Sequence, residues 1–283
     1  MSLKLRIISR LDIKGPNLVK GINFEGLRVL GDPKIFAKYY YENGVDEIIY
    51  QDTVASLYGR NTLKELIEKT VKDVFIPITV GGGIRSLEDI SNLLSSGADR
   101  VSINTAAFSN LNLIKEAVKE FGSSTIVSAL EVIKDKEKGD YMLFTDNGRN
   151  STGKDVVSWA KILEDLGVGE FLLTSVDNEG TGKGFDYELV RLLKKNITTP
   201  CIVHGGIGKK EQILEAFKDS GLSSVSCSSI FHYDFVKSNQ SFIDNPSEGN
   251  TTFLNSSNSP SFIETTGPNK LKDYLKLNKL DCR

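Results

Sequence analysis

The feature that most restricts this chain is an internal duplication centred on a glycine-rich phrase. Thr79-Val80-Gly81-Gly82-Gly83-Ile84 is followed by a helix-like stretch and then Val101-Ser102-Ile103-Asn104-Thr105. Val203-His204-Gly205-Gly206-Ile207-Gly208 is followed by a similar stretch and then Val225-Ser226-Cys227-Ser228-Ser229. Each copy offers an apolar strand, small residues at its end, a helix, and a second strand ending in hydroxyl or amide side chains. Glycines let the backbone approach an anion closely, and N–H groups at a helix start point toward it. Two such cradles imply a ligand with a phosphate at each end. The repeat extends further, because Leu11-Asp12 aligns with Leu130-Glu131 at an offset of roughly 120 residues.

Short apolar runs alternate with amphipathic segments along the chain. Strands are expected at 6–12, 47–52, 76–80, 100–104, 125–131, 170–175, 201–204 and 224–228. Helices are expected at 34–43, 63–74, 87–96, 111–121, 156–166, 187–195, 211–220 and 271–277, with Ser86 and Asp89 as a cap and an early-turn acid. Eight strand-then-helix units imply a parallel sheet, and eight is the number that closes a (β/α)₈ barrel. Periodicity alone also admits an open doubly wound sheet. Two equal four-unit halves favour closure, so the expected fold is α/β: a (β/α)₈ TIM barrel of two duplicated half-barrels, one domain over 1–283. Residues 17–31 read as a long first loop, and 139–145 as a small β-hairpin after the fifth strand. Residues 238–267, rich in Asn, Ser, Thr and Pro, read as a mobile polar insertion before the last helix, a solvated loop rather than a lid.

Composition narrows the function classes. The formal net charge is −2 over 283 residues, which gives no electrostatic footprint for nucleic acid. Cys201, Cys227 and Cys282 follow no pattern, which fits a reducing, cytoplasmic setting. The start, Met1-Ser2-Leu3-Lys4-Leu5-Arg6, lacks the apolar core of a signal peptide, and no apolar run is long enough to span a membrane. His204 and His232 stand apart from any cysteine pattern, so neither a metal nor a cofactor is expected.

The candidate chemistry lies at strand ends. Asp12 and Glu131 close the first and fifth strands, which are diametrically opposite in an eight-strand ring. They would face each other across the loop-bearing rim where such barrels act. One carboxylate can serve as general base and the other as general acid; singly, either would read as a loop acid or a helix cap. Lys20, Asn23, Asp52, Thr174, Ser175, Asp177, Glu179, Gly180 and Thr181 fall at the same rim. Lys20, in the first loop, can reach an anion, although a lone loop lysine is ordinarily solvated. Glu179-Gly180-Thr181-Gly182 offers backbone donors in a turn. His204 is either a group titrating near neutrality or a packed, ligand-lining side chain; His232 receives no role. Arg6, Glu47, Arg100 and Glu170 each begin a strand and point to the closed end, where they can form a ring of salt bridges. Spacing alone favours a stabilising plug over a gate around a central passage.

At these residues the chain resembles a known family, the cyclase subunit of imidazole glycerol phosphate synthase (HisF family) from histidine biosynthesis. The matching phrases are Leu11-Asp12-Ile13-Lys14, Val19-Lys20-Gly21-Ile22-Asn23-Phe24, residues 79–84, Gly97-Ala98-Asp99-Arg100-Val101-Ser102-Ile103-Asn104-Thr105-Ala106, Leu172-Leu173-Thr174-Ser175 and Ile230-Phe231-His232. The resemblance covers residues 6–233 and resumes in the final helix. It implies a bisphosphorylated substrate and a glutaminase subunit (HisH-type) docked at the closed face. Ammonia from that partner would cross the barrel and attack the ribulosyl formimino-carboxamide nucleotide, and cyclisation would yield imidazole glycerol phosphate and the aminoimidazole carboxamide nucleotide. It implies that Asp12 and Glu131 are the acid pair and that Arg6, Glu47, Arg100 and Glu170 form an ammonia gate. Lys20 would lie in a mobile loop over substrate. Gly83, Asn104 and Thr105 would hold one phosphate, and Gly180, Gly206, Ser228 and Ser229 the other, with Thr174, Glu179, Thr181 and Gly205 as further substrate contacts.

Departures from the family pattern gather at the chemistry. Glu131 and Glu179 stand where the family has aspartates; Arg10 and His204 stand where it has small residues. An added methylene shifts a carboxylate by roughly 1 Å, a scale of misplacement that can cost about a hundredfold. With Val54-Ala55-Ser56-Leu57-Tyr58-Gly59-Arg60-Asn61 after the second strand, the pattern is also similar to a divergent branch that channels ammonia for amidination of a surface-polysaccharide sugar. A phosphosugar isomerase of the same duplicated barrel is a third reading, disfavoured because an isomerase needs no gate.

Overall fold

The computed structural model describes residues 4–55, 63–239 and 260–283. Most of the expected polar insertion, and most of the run 54–61, lie outside the described residues. Eight parallel strands form the frame: β1 (Arg6–Lys14), β4 (Glu47–Asp52), β5 (Ile78–Gly81), β6 (Arg100–Ile103), β7 (Ile126–Lys134), β10 (Glu170–Ser175), β11 (Cys201–His204) and β12 (Ser224–Cys227). They pair in the order β1-β4-β5-β6-β7-β10-β11-β12, and β12 pairs β1 in parallel, so the ring closes. The closed (β/α)₈ barrel is therefore the fold, and the open sheet is excluded.

Successive buried residues along the strands face opposite sides of the ring. Ile8, Ile49, Val127, Ala129, Leu172 and Ile202 form a small apolar cluster inside the ring. Their neighbours, such as Ile7, Ile48, Val80, Val101, Leu130 and Leu173, join the larger core between strands and helices. Strands covered on both faces read as nearly continuous apolar runs, which is why the eight were visible in sequence. The surrounding helices start where sequence chemistry marks them. Ser86 accepts from Asp89 N while the Asp89 carboxylate accepts from Ser86 N, a complete capping box before Leu87–Ser95. Asp155 and Asp186 cap Val156–Asp165 and Tyr187–Asn196 in the same role. Among the described residues no helix is long and apolar enough to cross a membrane.

Two hairpins grow from the carboxyl ends of opposite strands. The segment 17–31, expected as a loop, is instead an antiparallel pair, β2 (Asn17–Ile22) and β3 (Glu25–Gly31), with β2 continuing onto β1. Its turn uses Asn23 and Phe24 at positive φ, and polar residues on its outer face hid the alternation. Asn23 fastens the tip to the far rim: Nδ2 donates to Val176 O (2.6 Å) and Asp177 O (3.0 Å), and its N–H to Glu179 O (2.8 Å). The expected hairpin at 139–145 is present as β8 (Tyr141–Thr145), which folds back on β7. It also pairs with β9 (Asn150–Asp155), an all-polar strand with no readable period.

Candidate active site

The duplication holds residue by residue in the strand register. Across the first half-barrel, Asp12 lies beside Gln51, Gln51 beside Gly81, and Gly81 beside Ser102. Across the second, Glu131 lies beside Thr174, Thr174 beside His204, and His204 beside Ser226. These eight positions form one layer at the carboxyl ends of the strands. Asp12 on β1 and Glu131 on β7 stand four strands apart, on opposite sides of one rim, as the sequence predicts.

The first cradle is open. A cavity of about 200 Å³ is lined by Gln51, Asp52, Gly82, Gly83, Ser102, Asn104, Thr105 and Glu131, with Asp146 and Asn147 from the β8–β9 turn. Asn104 leaves β6 with φ −122° and ψ −88°, and Thr105 starts a short helix, Thr105–Ser109. Gly82 has φ +106°, and a Cβ there would lie 2.5 Å from Asp52 O, so only glycine lets the turn close on β4. Buried Oε1 of Gln51, Oγ of Ser102 and Oδ1 of Asn104 have no hydrogen-bond partner among the described residues. Polar atoms left this way on a cavity wall are ready for a polar ligand. Glu131 Oε2 accepts from Gly148 N at 3.0 Å. Burial pushes the Glu131 carboxyl up to about 7, against the pull of the Arg10 guanidinium and the Gly148 N–H.

The second cradle is narrow. Glu179, Gly180, His204, Gly205, Gly206, Ser228 and Ser229 surround about 10 Å³ of space. Its backbone repeats the first: Ser228 has φ −128° and ψ −85°, and Ser229 begins the helix Ser229–Ser238. Gly205 has φ +101°, and a Cβ there would meet Ser175 O at 2.8 Å. The space is taken by side chains. Lys20 reaches down from β2 to form a buried ion pair with Glu179, whose Oε2 also accepts from Phe24 N at 3.3 Å. Lys20 is thus not a loop lysine; it is 2% exposed on a paired strand. His204 Nδ1 lies 3.1 Å from Ser226 O. A carbonyl only accepts, so Nδ1 carries the proton and Nε2 is a bare acceptor without a partner among the described residues, 4.0 Å from Glu179 Oε1. Burial, with Arg10 and Lys20 nearby, holds the imidazole well below its usual range, so His204 is neutral and packed rather than titrating near neutrality. His232 is buried with Nδ1 2.6 Å from Tyr40 Oη, and burial lowers it to about 3.

Arg10 bridges the centre of the rim. Its Nε donates to Asp12 Oδ1 at 2.8 Å, its Nη1 to Thr174 Oγ1 at 3.1 Å, and Phe24 covers it with its ring centroid at 5.2 Å. At the closed end Arg6 pairs with Glu47 (2.6 Å) and with Glu170, while Arg100 pairs with Glu170 (2.6 Å) and Glu47 (3.6 Å). The expected four-membered charge ring is therefore formed. Asp12, Lys20, Thr174 and Thr181 line neither cavity; the Thr181 hydroxyl donates to Asn178 O within its own turn. Sequence reading missed the β8–β9 turn, where Asp146, Asn147 and the Gly148 N–H complete the first cavity. The Asp146-Asn147-Gly148 turn signal was available, but its partner strand was not recognisable.

The family model described as "Histidine biosynthesis protein" matches residues 6–237. A curated relative, "Imidazole glycerol phosphate synthase subunit HisF" of Legionella pneumophila, is 55% identical over 208 residues, covering 74% of this chain and 98% of the relative. With the closed barrel, the repeated register and the paired cradles, these similarities mean that the chain belongs to the histidine biosynthesis protein family.

Proposed function

We propose that this chain is the ammonia-dependent cyclase subunit of imidazole glycerol phosphate synthase, a lyase-type enzyme that works with a glutaminase subunit in the cytoplasm. The observation that carries this reading is the matched register, which sets one carboxylate from each half-barrel between two glycine-built cradles. The bisphosphorylated nucleotide lies across the rim. Gly83, Asn104 and Thr105 hold one phosphate; Gly180, Gly205, Gly206, Ser228 and Ser229 hold the other, with Lys20, Thr174, Glu179 and Thr181 near it. Occupying the narrower cradle requires the Lys20–Glu179 pair to open, which frees a lysine for the phosphate. Glu131, with Asp12 facing it as the second carboxylate, exchanges protons as ammonia adds and the ring closes. A Glu131 carboxyl that titrates near 7 is suited to give and retake a proton at neutral pH. The partner docks at the closed face over Arg6, Glu47, Arg100 and Glu170, and ammonia enters there. The relative's name gives no support to the sugar-amidination alternative.

Turnover with the histidine-pathway nucleotide and ammonium tests the reading. Asp12→Asn and Glu131→Gln should each lower kcat by about 10²–10⁴-fold. A native chain that stays inactive at saturating ammonium would sink it. Arg100→Ala should reduce glutamine-driven turnover more than ammonium-driven turnover; equal losses would return the charge ring to the role of a plug.

A further inference from the structure

One buried cation has no part in the chemistry above. Arg10 is 2% exposed and points into the lumen. Its strand, β1, is separated from β10 by β11 and β12 on the shorter way around the ring. Even so, its guanidinium bonds Thr174 on β10 as well as Asp12 on its own strand. The same two strands are joined at the closed end by Arg6 and Glu170, four residues back along each. The position matching Arg10 in the other half-barrel is Ala129, set beside Leu172 as Arg10 is set beside Ile49. A small residue opposite a large one leaves the volume that the arginine fills.

The two acids consequently have unlike surroundings. Asp12 is ion-paired with Arg10, and both side chains are buried. Glu131 forms no ion pair among the described residues. It is faced by Asn104 from the end of β6, Asp52 from the end of β4, Asp146 from the β8–β9 turn, and Arg10 across the lumen. Burial raises it, Asp146 adds to the rise, and Arg10 opposes it.

We propose that Arg10 is a positioning residue of the acid pair: its fork fixes Asp12 and Thr174 at the centre of the rim and leaves proton exchange to Glu131. The proposal rests on the cyclase reading for its kinetic consequence but not for its electrostatic one.

The test combines a titration with kinetics. In chain labelled with ¹³C at glutamate side-chain carboxyls, the Glu131 signal is identified by its loss in Glu131→Gln and followed against pH. Its midpoint should move to higher pH in Arg10→Gln, by about half a unit or more, and return toward the native value in Arg10→Lys. In the ammonium-driven assay Arg10→Gln should lower kcat by about tenfold or more, with KM changed less than about threefold. The Glu131 limb of its pH–rate profile should shift in the same alkaline direction. Arg10→Lys should restore the limb but only part of kcat, because an ammonium cannot reproduce the planar fork. An unmoved Glu131 midpoint in Arg10→Gln, or a loss confined to KM, overturns the proposal. If the native chain does not turn over, the cyclase reading alone fails, and the titration still decides whether Arg10 governs Glu131. Should Arg10→Gln fail to fold, Thr174→Val removes only the cross-lumen bond; it should lower kcat with the pH limb unmoved, and an unchanged kcat overturns the proposal.

Discussion

The two cradles share a backbone and differ in state. Asn104 and Ser228 leave their strands with φ and ψ within a few degrees of each other, and Gly82 and Gly205 turn at φ +106° and +101°. Yet one cradle opens onto about 200 Å³ and the other onto about 10 Å³. A single register position accounts for much of this: Gly81 beside Gln51 in the first half is His204 beside Thr174 in the second. The β2–β3 hairpin adds Lys20 and Phe24 to the second cradle only. Duplication fixes where backbone donors point, while side chains decide whether the space before them is open.

The comparison is most easily broken at the ion pair that fills the narrow cradle. The side chains of Lys20 and Glu179 are each 1% exposed. Lys20→Met should destabilise the fold by about 3–5 kcal/mol, because it strands a buried carboxylate, whereas Lys20→Met with Glu179→Leu should be near neutral. Urea unfolding of both variants measures this. A mild single-mutant loss would mean that water already reaches Glu179 and that the cradle is less closed than its contacts indicate.

The open cradle has its own titration. Glu131 is raised from 4.5 to about 7 when folded, so the native state binds this proton more tightly than the unfolded chain. Its contribution is present below about pH 4.5 and is lost as pH rises through about 7, by about 3 kcal/mol. The difference in unfolding free energy between native protein and Glu131→Gln, followed from pH 4.5 to 7.5, isolates it. The buried neutral histidines act oppositely: for His232, lowered from 6.5 to about 3, stability is lost as pH falls through that window. A flat difference curve would show Glu131 to be well solvated.

The smallest effect tests the shared backbone. A Cβ at Gly82 would lie 2.5 Å from Asp52 O, and at Gly205 2.8 Å from Ser175 O, both at positive φ. Gly82→Ala and Gly205→Ala should each cost about 1–3 kcal/mol and by similar amounts. Thermal unfolding that separates them widely would argue that the two turns are not mechanically equivalent.

Much of the site was legible because it follows from periodicity and repetition. The strand starts Arg6, Glu47, Arg100 and Glu170 were placed by apolar runs, and their convergence follows from ring closure. Asp12 and Glu131 were found through the repeat. The hairpin at 17–31 was not, because a strand half exposed at a rim lacks a clean alternation, and Lys20 was misread with it. Arg10 was recognisable only as an unusual residue. That it spans the lumen to Thr174 depends on Ala129 being small across the barrel, a relation between positions far apart in sequence.

By itself the sequence determined the eight-unit barrel, its two equal halves, the facing carboxylates and the glycine turns, since each is encoded by local pattern or by repetition. Only the tertiary structure decided which acid is clamped, which cradle is filled, and that His204 is packed and neutral. Burial and charge partnership depend on what other strands bring to the same point, and no local stretch of chain carries that information.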